Sequence, residues 1–362
     1  MIPYFGTLPV YWPLTLHTMG RNPALAWHLF TDQDLTDLPP NVTVTRTTLP
    51  AMRDRISRTL GYEAAIANPY KLCDLKPAYG LIFEPELEPY EYWAYADVDV
   101  IWGDIWAHVS EAVEAGTERI LTFGHLSMFR NTPELRTLVL QDHPGVVPAH
   151  EAFTTEAHLS YDEFGGWDAI TRAAGLSTFA DPVCFDMFVP SYRLRANRSR
   201  RGRGDTVFAW QDGRCLELDP STGAVLSEAA YIHLQKRAVR RPAALVPPAP
   251  PGALAFGPVD ITPAESLQDA ARISLGLERS VSSWVHWRRH YDTFRLKRAL
   301  RRLQREVRAL ADRRARDPRP GRRGRPRTRR HWPDPLGRVA TAPSRTSPFV
   351  EQQGLPRDNT QH

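Results

Sequence analysis

Two aspartates, Asp97 and Asp99, interrupt the hydrophobic stretch "YWAYADVDVIWGD" (92–104). On a strand, side chains two residues apart point to the same side, so the two charges would face each other. Two close carboxylates cannot both stay ionised without a compensating cation or a shared proton. A divalent cation, Mn²⁺ or Mg²⁺, held by these carboxylates and by substrate phosphates would remove the conflict. The alternative is that Asp99 and Asp104 leave the strand into solvent, where Asp104 caps the following helix.

Lysine is rare in this chain, because only four of its 46 basic residues are lysine: Lys71, Lys76, Lys236 and Lys297. The first three fall in the segments "YKLCDLKPAYG" and "HLQKR". A compact ammonium acts as a point charge toward phosphate or carboxylate, which a forked guanidinium does not copy. Lys71, Lys76 and Asp74 are therefore candidate contacts to a phosphorylated ligand or to the acidic pair. The alternatives are chance clustering and a weak salt bridge within a helix.

Strand-like and helix-like segments alternate over roughly the first 190 residues. This alternation predicts an α/β fold with a mixed, mostly parallel sheet and helices on both faces. In such sheets ligands bind beyond the carboxyl ends of the strands. Three strand ends, at 3–6, 31–32 and 97–99, would then line one crevice, which adds Tyr4, Phe5, Gly6 and Asp32 to the candidate ligand contacts. The expected elements are strands at 2–6, 25–32, 41–49, 91–97 and 119–125 and helices at 13–23, 51–61, 70–86 and 104–114.

Composition divides the rest of the chain. Asp212-Gly213 predicts the turn of a β-hairpin within 206–219. Proline enrichment predicts a semi-rigid linker, and a basic periodic segment followed by an Arg/Pro-rich end predicts an amphipathic helix and a disordered tail. The expected regions are 1–240 (catalytic domain), 241–264 (linker), 265–315 (helical) and 316–362 (tail).

The "DVD" sequence after a hydrophobic strand resembles the D-x-D motif of GT-A glycosyltransferases. Further segments resemble one small bacterial family of that fold, the uncharacterised glycosyltransferase-like proteins of capsule and cell-surface polysaccharide loci. In that family several apolar residues precede "PYFG", whereas here only Met1 and Ile2 do, so we expect either a truncated first strand or a start upstream of Met1. The matching segments cover about residues 1–240 and are "PYFG" (3–6), "NPYKLCDLKPAYG" (68–80), "YADVDVIWGDI" (95–105), "GHLSMFRN" (124–131), "YDEFGGW" (161–167) and "YIHLQKR" (231–237).

The resemblance implies a GT-A-like fold and a role for several residues. Asp97 would lie near the ribose and the metal, and Asp99 would bind the metal directly. His233 would complete the coordination of Mn²⁺ or Mg²⁺, and Lys236 would contact the donor diphosphate. The alternative for His233 is a packed, hydrogen-bonded core histidine.

Two further segments contain candidate contacts to the donor sugar or to the acceptor. Gly124 and His125 follow a strand at the expected crevice, and the alternative is a buried turn. Asp162 and Glu163, close to Trp167, could contact acceptor hydroxyls or act as a general base.

These features predict a metal-dependent glycosyltransferase that moves a sugar from a nucleotide-diphosphate donor to a glycan or lipid-linked acceptor in surface polysaccharide synthesis. One alternative is a metal-dependent phosphoryl- or nucleotidyltransferase that uses the same carboxylates. The other is a non-catalytic protein that binds membranes or nucleic acid through its basic region.

The positive charge is concentrated near the end of the chain. Residues 288–330 contain 19 Lys/Arg and 4 Asp/Glu, so this segment carries +15 and the remainder −10 of the net +5. Peripheral attachment to an anionic membrane through 284–330, with Trp284, Trp287, Tyr291 and Phe294 at the interface, is the preferred interpretation; no specific nucleic acid is expected. Three widely spaced cysteines and the lack of a long apolar segment or signal peptide favour the cytoplasm, with possible attachment at the inner face of the membrane.

Overall fold

The computed structural model describes residues 1–163, 166–196, 206–235, 237–240, 242, 246 and 252–316. The chain divides into two units, Met1–Arg302 and Leu303–His362. Within the described residues the second unit contains only the end of the last helix. The first unit contains the elements that position the candidate site.

The N-terminal segment forms a small parallel sheet in the order β1-β2-β3. Tyr4 pairs with Thr31, so the carboxyl ends of the first two strands lie side by side, as predicted. Thr48 caps the second helix by accepting from Ala51 N–H, and Gly61 ends that helix in the left-handed conformation. The elements are β1 (Ile2–Tyr4), α1 (Trp12–Gly20), β2 (Trp27–Thr31), β3 (Val42–Arg46) and α2 (Leu49–Leu60).

The middle of the chain contributes a second sheet in the order β4-β7-β6-β8. The single helix predicted at 70–86 is wrong. A 3₁₀ helix and two short α-helices occupy this range, because prolines such as Pro77 remove backbone donors that a continuous α-helix needs. The elements are the 3₁₀ helix Pro69–Ala78, α3 (Tyr79–Ile82), α4 (Glu84–Leu87), β4 (Tyr92–Ala96), β5 (Val100–Trp102), α5 (Ile105–Glu114), β6 (Arg119–Phe123), β7 (Leu126–Arg130), α6 (Pro133–Thr137), the 3₁₀ helix Leu138–Leu140, α7 (Ala149–Thr154), α8 (Trp167–Ala173) and β8 (Thr178–Phe179).

The C-terminal segment adds one sheet in the order β5-β13-β9 and another in the order β12-β11-β10-β14-β15. Helix α9 packs against the second of these sheets. The elements are β9 (Cys184–Asp186), β10 (Val207–Gln211), β11 (Arg214–Leu218), β12 (Val225–Ala229), β13 (Tyr231–His233), β14 (Ala253–Phe256), β15 (Ile261–Ala264), α9 (Leu267–Arg279) and α10 (Val281–Arg316).

The fold is therefore mixed α/β, as predicted, but the expectation of a mostly parallel sheet is wrong. Strands β6 and β7 are antiparallel and are joined only by Gly124 and His125. A connection this short can join only antiparallel strands, whereas a parallel pair needs a long crossover. The sheet that contains β10 to β12, β14 and β15 is antiparallel throughout.

The predicted linker at 241–264 is wrong over its second half. Residues 253–256 and 261–264 form β14 and β15, and β14 pairs directly with β10. Leu254 and Phe256 are buried in the core. The proline-rich composition hid two short strands whose apolar side chains complete this sheet.

Two local predictions are confirmed. Asp104 caps α5, since its carboxylate accepts from Ala107 N–H at 3.0 Å. Asp212 and Gly213 both have positive φ at the turn between β10 and β11, which suits the twist of a two-residue hairpin.

Buried polar side chains of α1 hold β5 in place. Thr15 donates to Val100 O at 2.9 Å, and the Thr18 hydroxyl accepts from Trp102 N–H at 3.1 Å. Residues 97–99, which contain the two aspartates, form the loop between β4 and β5 (the acidic loop). Because β5 follows this loop directly, α1 fixes one of its two ends. Trp102 is fully buried, as expected for a residue that anchors this loop.

No helix in the described part of the chain combines the length and the apolar character needed to cross a membrane.

We predict that Arg237→Met lowers the free energy of unfolding by about 3 kcal/mol or more, because it leaves four buried or partly buried carbonyl groups without this donor. Arg237 is buried, and its two terminal nitrogens donate to the carbonyls of Phe188, Ser191, Tyr192 and Pro258. Burial lowers the pKa of this guanidinium to about 10. Urea unfolding measures the change.

The matched control is Arg21→Met, which removes an exposed pair with Asp212 and should cost about 1 kcal/mol or less. Equal losses of unfolding free energy in the two variants would contradict a stabilising role for the Arg237 hydrogen bonds.

Candidate functional site

The aspartate pair lies in the short connection between β4 and β5, rather than on one continuous strand. Hydrogen bonds fix the backbone of this loop at both aspartates. Asp97 N–H donates to His125 O at 3.2 Å, and Leu234 N–H donates to Asp99 O at 3.0 Å. The loop that contains Asp97 and Asp99 is therefore held between β7 and β13, and its side chains have defined positions.

Strand pairing brings His233 to the aspartate pair. In the β13–β5 pair His233 lies opposite Val100, the residue that follows Asp99. His233 Nε2 lies 3.4 Å from Asp99 Oδ1. One ligating atom from each of Asp97, Asp99 and His233 lies within 4.8 Å of the others. The three residues predicted as metal ligands are thus neighbours in space.

Asp186, a residue that the sequence analysis missed, orients His233. It lies opposite His233 in the parallel β13–β9 pair, and its Oδ1 is 2.8 Å from His233 Nδ1. Gln235 donates to the same oxygen at 2.6 Å. A carboxylate on one ring nitrogen directs the other nitrogen toward a metal in many metalloproteins. The available sequence signal was one acidic residue inside the apolar segment "VCFDMF".

Charge compensation controls the protonation of this histidine. Burial alone lowers the pKa of His233, but hydrogen bonds to Asp186 and Asp99 outweigh it and raise the pKa to about 10. The pKa of Asp186 falls to about 2, because hydrogen bonding and attraction to His233 outweigh the effect of burial. His233 is therefore a cation at neutral pH and would have to release a proton to bind a metal.

The donor set of Asp97, Asp99 and His233 suits a hard divalent cation. The two carboxylates are about a third and a quarter exposed, at 31% and 25%, so they remain open to an ion and to a ligand. His125, Asp186 and His233 form a second group of possible ligands. His125 is buried, however, and its Nδ1 lies 2.9 Å from the Tyr231 hydroxyl, so the first group fits an accessible ion better.

Lys76 neutralises the acidic site from inside the protein. Its ammonium group is buried and donates to Asp97 Oδ1 at 2.7 Å and to Gly124 O at 2.6 Å. It also lies 3.3 Å from Asp162 Oδ2. Burial acts to lower the pKa of Lys76, but the charges of Asp97 and Asp162 raise it well above its ordinary value. Of the two contacts predicted for Lys76, the structure shows the one with the acidic pair, through Asp97.

Gly124 allows Asp162 and Glu163 to approach the same place. A Cβ atom at this position would lie 2.7 Å from Glu163 Oε1 and 3.0 Å from Asp162 Oδ2. Burial raises the pKa of both carboxyl groups, and Lys76 opposes this effect. Asp162 is buried, whereas Glu163 is only partly buried. Of the two candidate bases, Glu163 is the one accessible from solvent.

Lys71 and Asp74 belong to the interior, so the structure contradicts their predicted contact with a donor. Their side chains are 1% and 0% exposed, and the ammonium lies 2.8 Å from Asp74 Oδ2. Lys71 also donates to Ala152 O, and Asp74 accepts from the backbone N–H groups of Leu159 and Tyr161. This pair holds the segment that precedes Asp162.

The strand ends of the predicted crevice are close together, but Phe5, one of the residues predicted to line it, is buried. Gly6 N–H donates to Asp32 Oδ1 at 3.1 Å, and Asp32 is exposed. Burial and then the charges of Asp99 and Asp32 raise the pKa of Tyr4, so Tyr4 lies near both acids. Phe5 is buried in the hydrophobic core and does not face a ligand. Lys236 lies outside the described residues.

We predict that Lys76→Met lowers the free energy of unfolding by about 3–5 kcal/mol, because it leaves two carboxylates close together without their buried cation. Urea unfolding at pH 7 measures this loss. The double variant Lys76→Met/Asp162→Asn should recover part of it, since one of the two charges is then absent.

Lys297→Met, at an exposed helical position, is the matched control and should change stability by about 0.5 kcal/mol or less. Failure of the Asp162 substitution to restore any stability would contradict the charge-compensation account.

We also predict a pH signature for Asp74. Burial raises the pKa of this carboxyl group, but hydrogen bonds from His158, Lys71 and two backbone N–H groups lower it to about 2, below the ordinary 3.8. Because the folded-state pKa is depressed, the stabilisation is fully present above about pH 4 and is lost as the pH falls toward 2.

The stability difference between the wild type and Asp74→Asn should therefore shrink by about 2 kcal/mol between pH 5 and pH 2. Denaturant unfolding at both pH values measures this change. Asp212→Asn is the control at an exposed carboxylate, and a difference for Asp74→Asn that stays constant over this range would contradict the assignment.

Comparison with known proteins places the site within a family. No curated protein and no solved structure matches the chain. A family model described as "Family of unknown function (DUF6625)" matches residues 1–247. That range includes the parallel β1–β3 sheet, the acidic loop, Lys76, Asp186 and His233. The chain therefore belongs to this family of unknown function.

Proposed function

We propose that this protein is a metal-dependent glycosyltransferase with a GT-A-like catalytic region. It would move a sugar from a nucleotide-diphosphate donor to a hydroxyl group of a glycan or lipid-linked saccharide, at the cytoplasmic side of the cell. The observation that carries the proposal is the convergence of Asp97, Asp99 and His233, within 4.8 Å of one another, at a loop next to the β1 and β2 strand ends.

Asp97, Asp99 and His233 would hold Mn²⁺ or Mg²⁺. When bound, such an ion neutralises the charge that develops on the leaving diphosphate. Lys76 donates a hydrogen bond to Asp97, and Asp186 holds the His233 ring. The metal-binding side chains would therefore be preorganised before a donor binds.

Residues near the first strand ends would bind the nucleoside part of the donor. Asp32 is exposed, and Gly6 N–H holds its carboxylate. A carboxylate fixed in this way can accept hydrogen bonds from ribose or base groups. Tyr4 is partly buried, its pKa is raised by burial and by the charges of Asp99 and Asp32, and its ring would form part of the same site.

Glu163 is the candidate general base for the acceptor hydroxyl. Its carboxylate lies against Gly124, and its raised pKa, caused first by burial and then by Asp162, brings it closer to neutral pH. A base with such a pKa accepts a proton more readily than an ordinary carboxylate does. Asp162, paired with Lys76, would position this segment instead.

A phosphoryl- or nucleotidyltransferase remains the alternative enzyme, because the same ligand set can bind a nucleoside triphosphate. The products of slow donor hydrolysis separate the two. Free sugar with nucleoside diphosphate indicates attack at the anomeric carbon, and nucleoside monophosphate indicates attack at phosphorus.

We predict that a nucleotide sugar raises the melting temperature of the wild type only when Mn²⁺ is present. Asp99→Ala should abolish this shift, because it removes a predicted metal ligand. Asp186→Asn should weaken apparent Mn²⁺ affinity by about 10- to 100-fold, since the ring of His233 loses its orienting partner. Thermal shift over a panel of UDP- and GDP-sugars, with and without Mn²⁺, measures both effects.

Asp104→Ala is the control, because this nearby aspartate caps α5 and should leave the ligand-induced shift intact. Absence of any nucleotide response in the wild type would sink the proposal. A nucleotide response that persists without metal and in Asp99→Ala would contradict the metal site.

A further inference from the structure

The first turns of helix α10 (Val281–Arg316) belong to the first unit and pack against other residues of that unit. Ser283 donates to Asp260 Oδ2 at 2.8 Å, and His286 Nε2 lies 3.0 Å from Ala238 O. Trp287 is buried and packs edge-on against Tyr192, with 5.6 Å between ring centroids. These contacts fix one side of the helix against the protein.

The packing of the first turns of α10 determines which of its side chains are exposed and could contact a membrane. Trp287 was predicted to lie at a lipid interface, but it is only 9% exposed, and Tyr291 stacks on it at 4.9 Å. Other apolar side chains are open to solvent: Trp284 is 49% exposed, Leu296 62% and Leu300 50%. Of the residues predicted for the interface, Trp287 is therefore not available, whereas Trp284 is exposed and the exposed leucines were not foreseen.

Basic side chains accompany the exposed leucines along the helix. Leu296 and Leu300 are four residues apart and share a helix face. Exposed basic residues accompany them, while Asp292 is the one acidic residue between 288 and 300. The basic residues are Arg288, Arg289, Arg295, Lys297 and Arg298.

We propose that the exposed face of α10 that carries Leu296 and Leu300 binds an anionic phospholipid bilayer, with these leucines in the interface and the neighbouring basic residues at the headgroups. Leucine side chains gain by leaving water at the headgroup boundary, and each basic residue is attracted to anionic lipid. Self-association through this face would bring arginines against arginines, which is unfavourable. Phosphate binding in nucleic acid needs no exposed leucines.

The membrane-binding proposal does not depend on the proposed transfer reaction. If that reaction is correct, membrane attachment would place the site near a lipid-linked acceptor. Vesicle binding can succeed or fail independently of any nucleotide response, so the two proposals are tested separately.

The first experiment is co-sedimentation of the full chain with phosphatidylglycerol/phosphatidylcholine vesicles and with pure phosphatidylcholine vesicles. We expect binding to the anionic vesicles that weakens with NaCl. Leu296→Gln/Leu300→Gln should lower the partition coefficient by about tenfold or more, because two exposed apolar side chains are lost from the interface. The control Leu38→Gln/Leu140→Gln, at comparably exposed positions elsewhere, should bind as the wild type does.

The second experiment locates the surface with brominated lipids, which quench tryptophan fluorescence in the interface. In anionic brominated vesicles, Leu300→Trp should be quenched more than the wild type. Leu140→Trp, at an exposed position elsewhere, should be quenched no more than the wild type.

Three outcomes would overturn the proposal: equal binding of the leucine variant and the wild type, equal binding to neutral vesicles, or quenching of Leu300→Trp that is no greater than that of Leu140→Trp. Binding of duplex DNA without binding of anionic vesicles would assign the basic surface to nucleic acid instead. A leucine-dependent dimer seen by light scattering without vesicle binding would assign the face to a second copy.

Discussion

The buried ammonium of Lys76 is the interaction on which the acidic site depends. Asp97 and Asp162 come from distant parts of the sequence, and both approach this one cation. A buried charge is tolerated only when it is paired and hydrogen-bonded. Lys76 meets this condition through two carboxylates and the carbonyl of Gly124, so it joins the aspartate loop, the β6–β7 turn and the segment that contains Glu163.

This arrangement also changes the explanation for the aspartate pair. From the sequence, the repulsion between Asp97 and Asp99 favoured a divalent cation over a shared proton. In the structure each carboxylate already has a cation of the protein nearby, Lys76 for Asp97 and the protonated His233 for Asp99. Charge repulsion alone therefore no longer argues for a metal. The stronger argument is geometric: the carboxylates are partly exposed, and a histidine with a carboxylate on its other ring nitrogen completes the set.

Features encoded by short-range chemistry could be predicted from the sequence. The cap at Asp104 and the Asp212-Gly213 turn depend on a few adjacent residues, and both predictions are confirmed. Some features that depend on long-range pairing were missed. Residues 253–264 resemble a linker by composition, and only their pairing with β10 makes them strands. The functional prediction for Lys71 failed because rarity of lysine does not distinguish a buried cation from one that binds a ligand.

Asp186 shows why the candidate site could be predicted only in part. Its role comes from register: in the parallel β9–β13 pair Asp186 lies opposite His233, while in the antiparallel β13–β5 pair His233 lies opposite Val100. A shift of one residue in either pair would turn the histidine to the other face of the sheet. The buried hydroxyl of Tyr231, which contacts His125, occupies the same strand and helps to fix that register. The site therefore depends on β13, a three-residue strand that carries His233 and pairs with both β5 and β9. The position of His233 relative to Asp99 and Asp186 is set by this pairing on two sides, rather than by a local sequence motif.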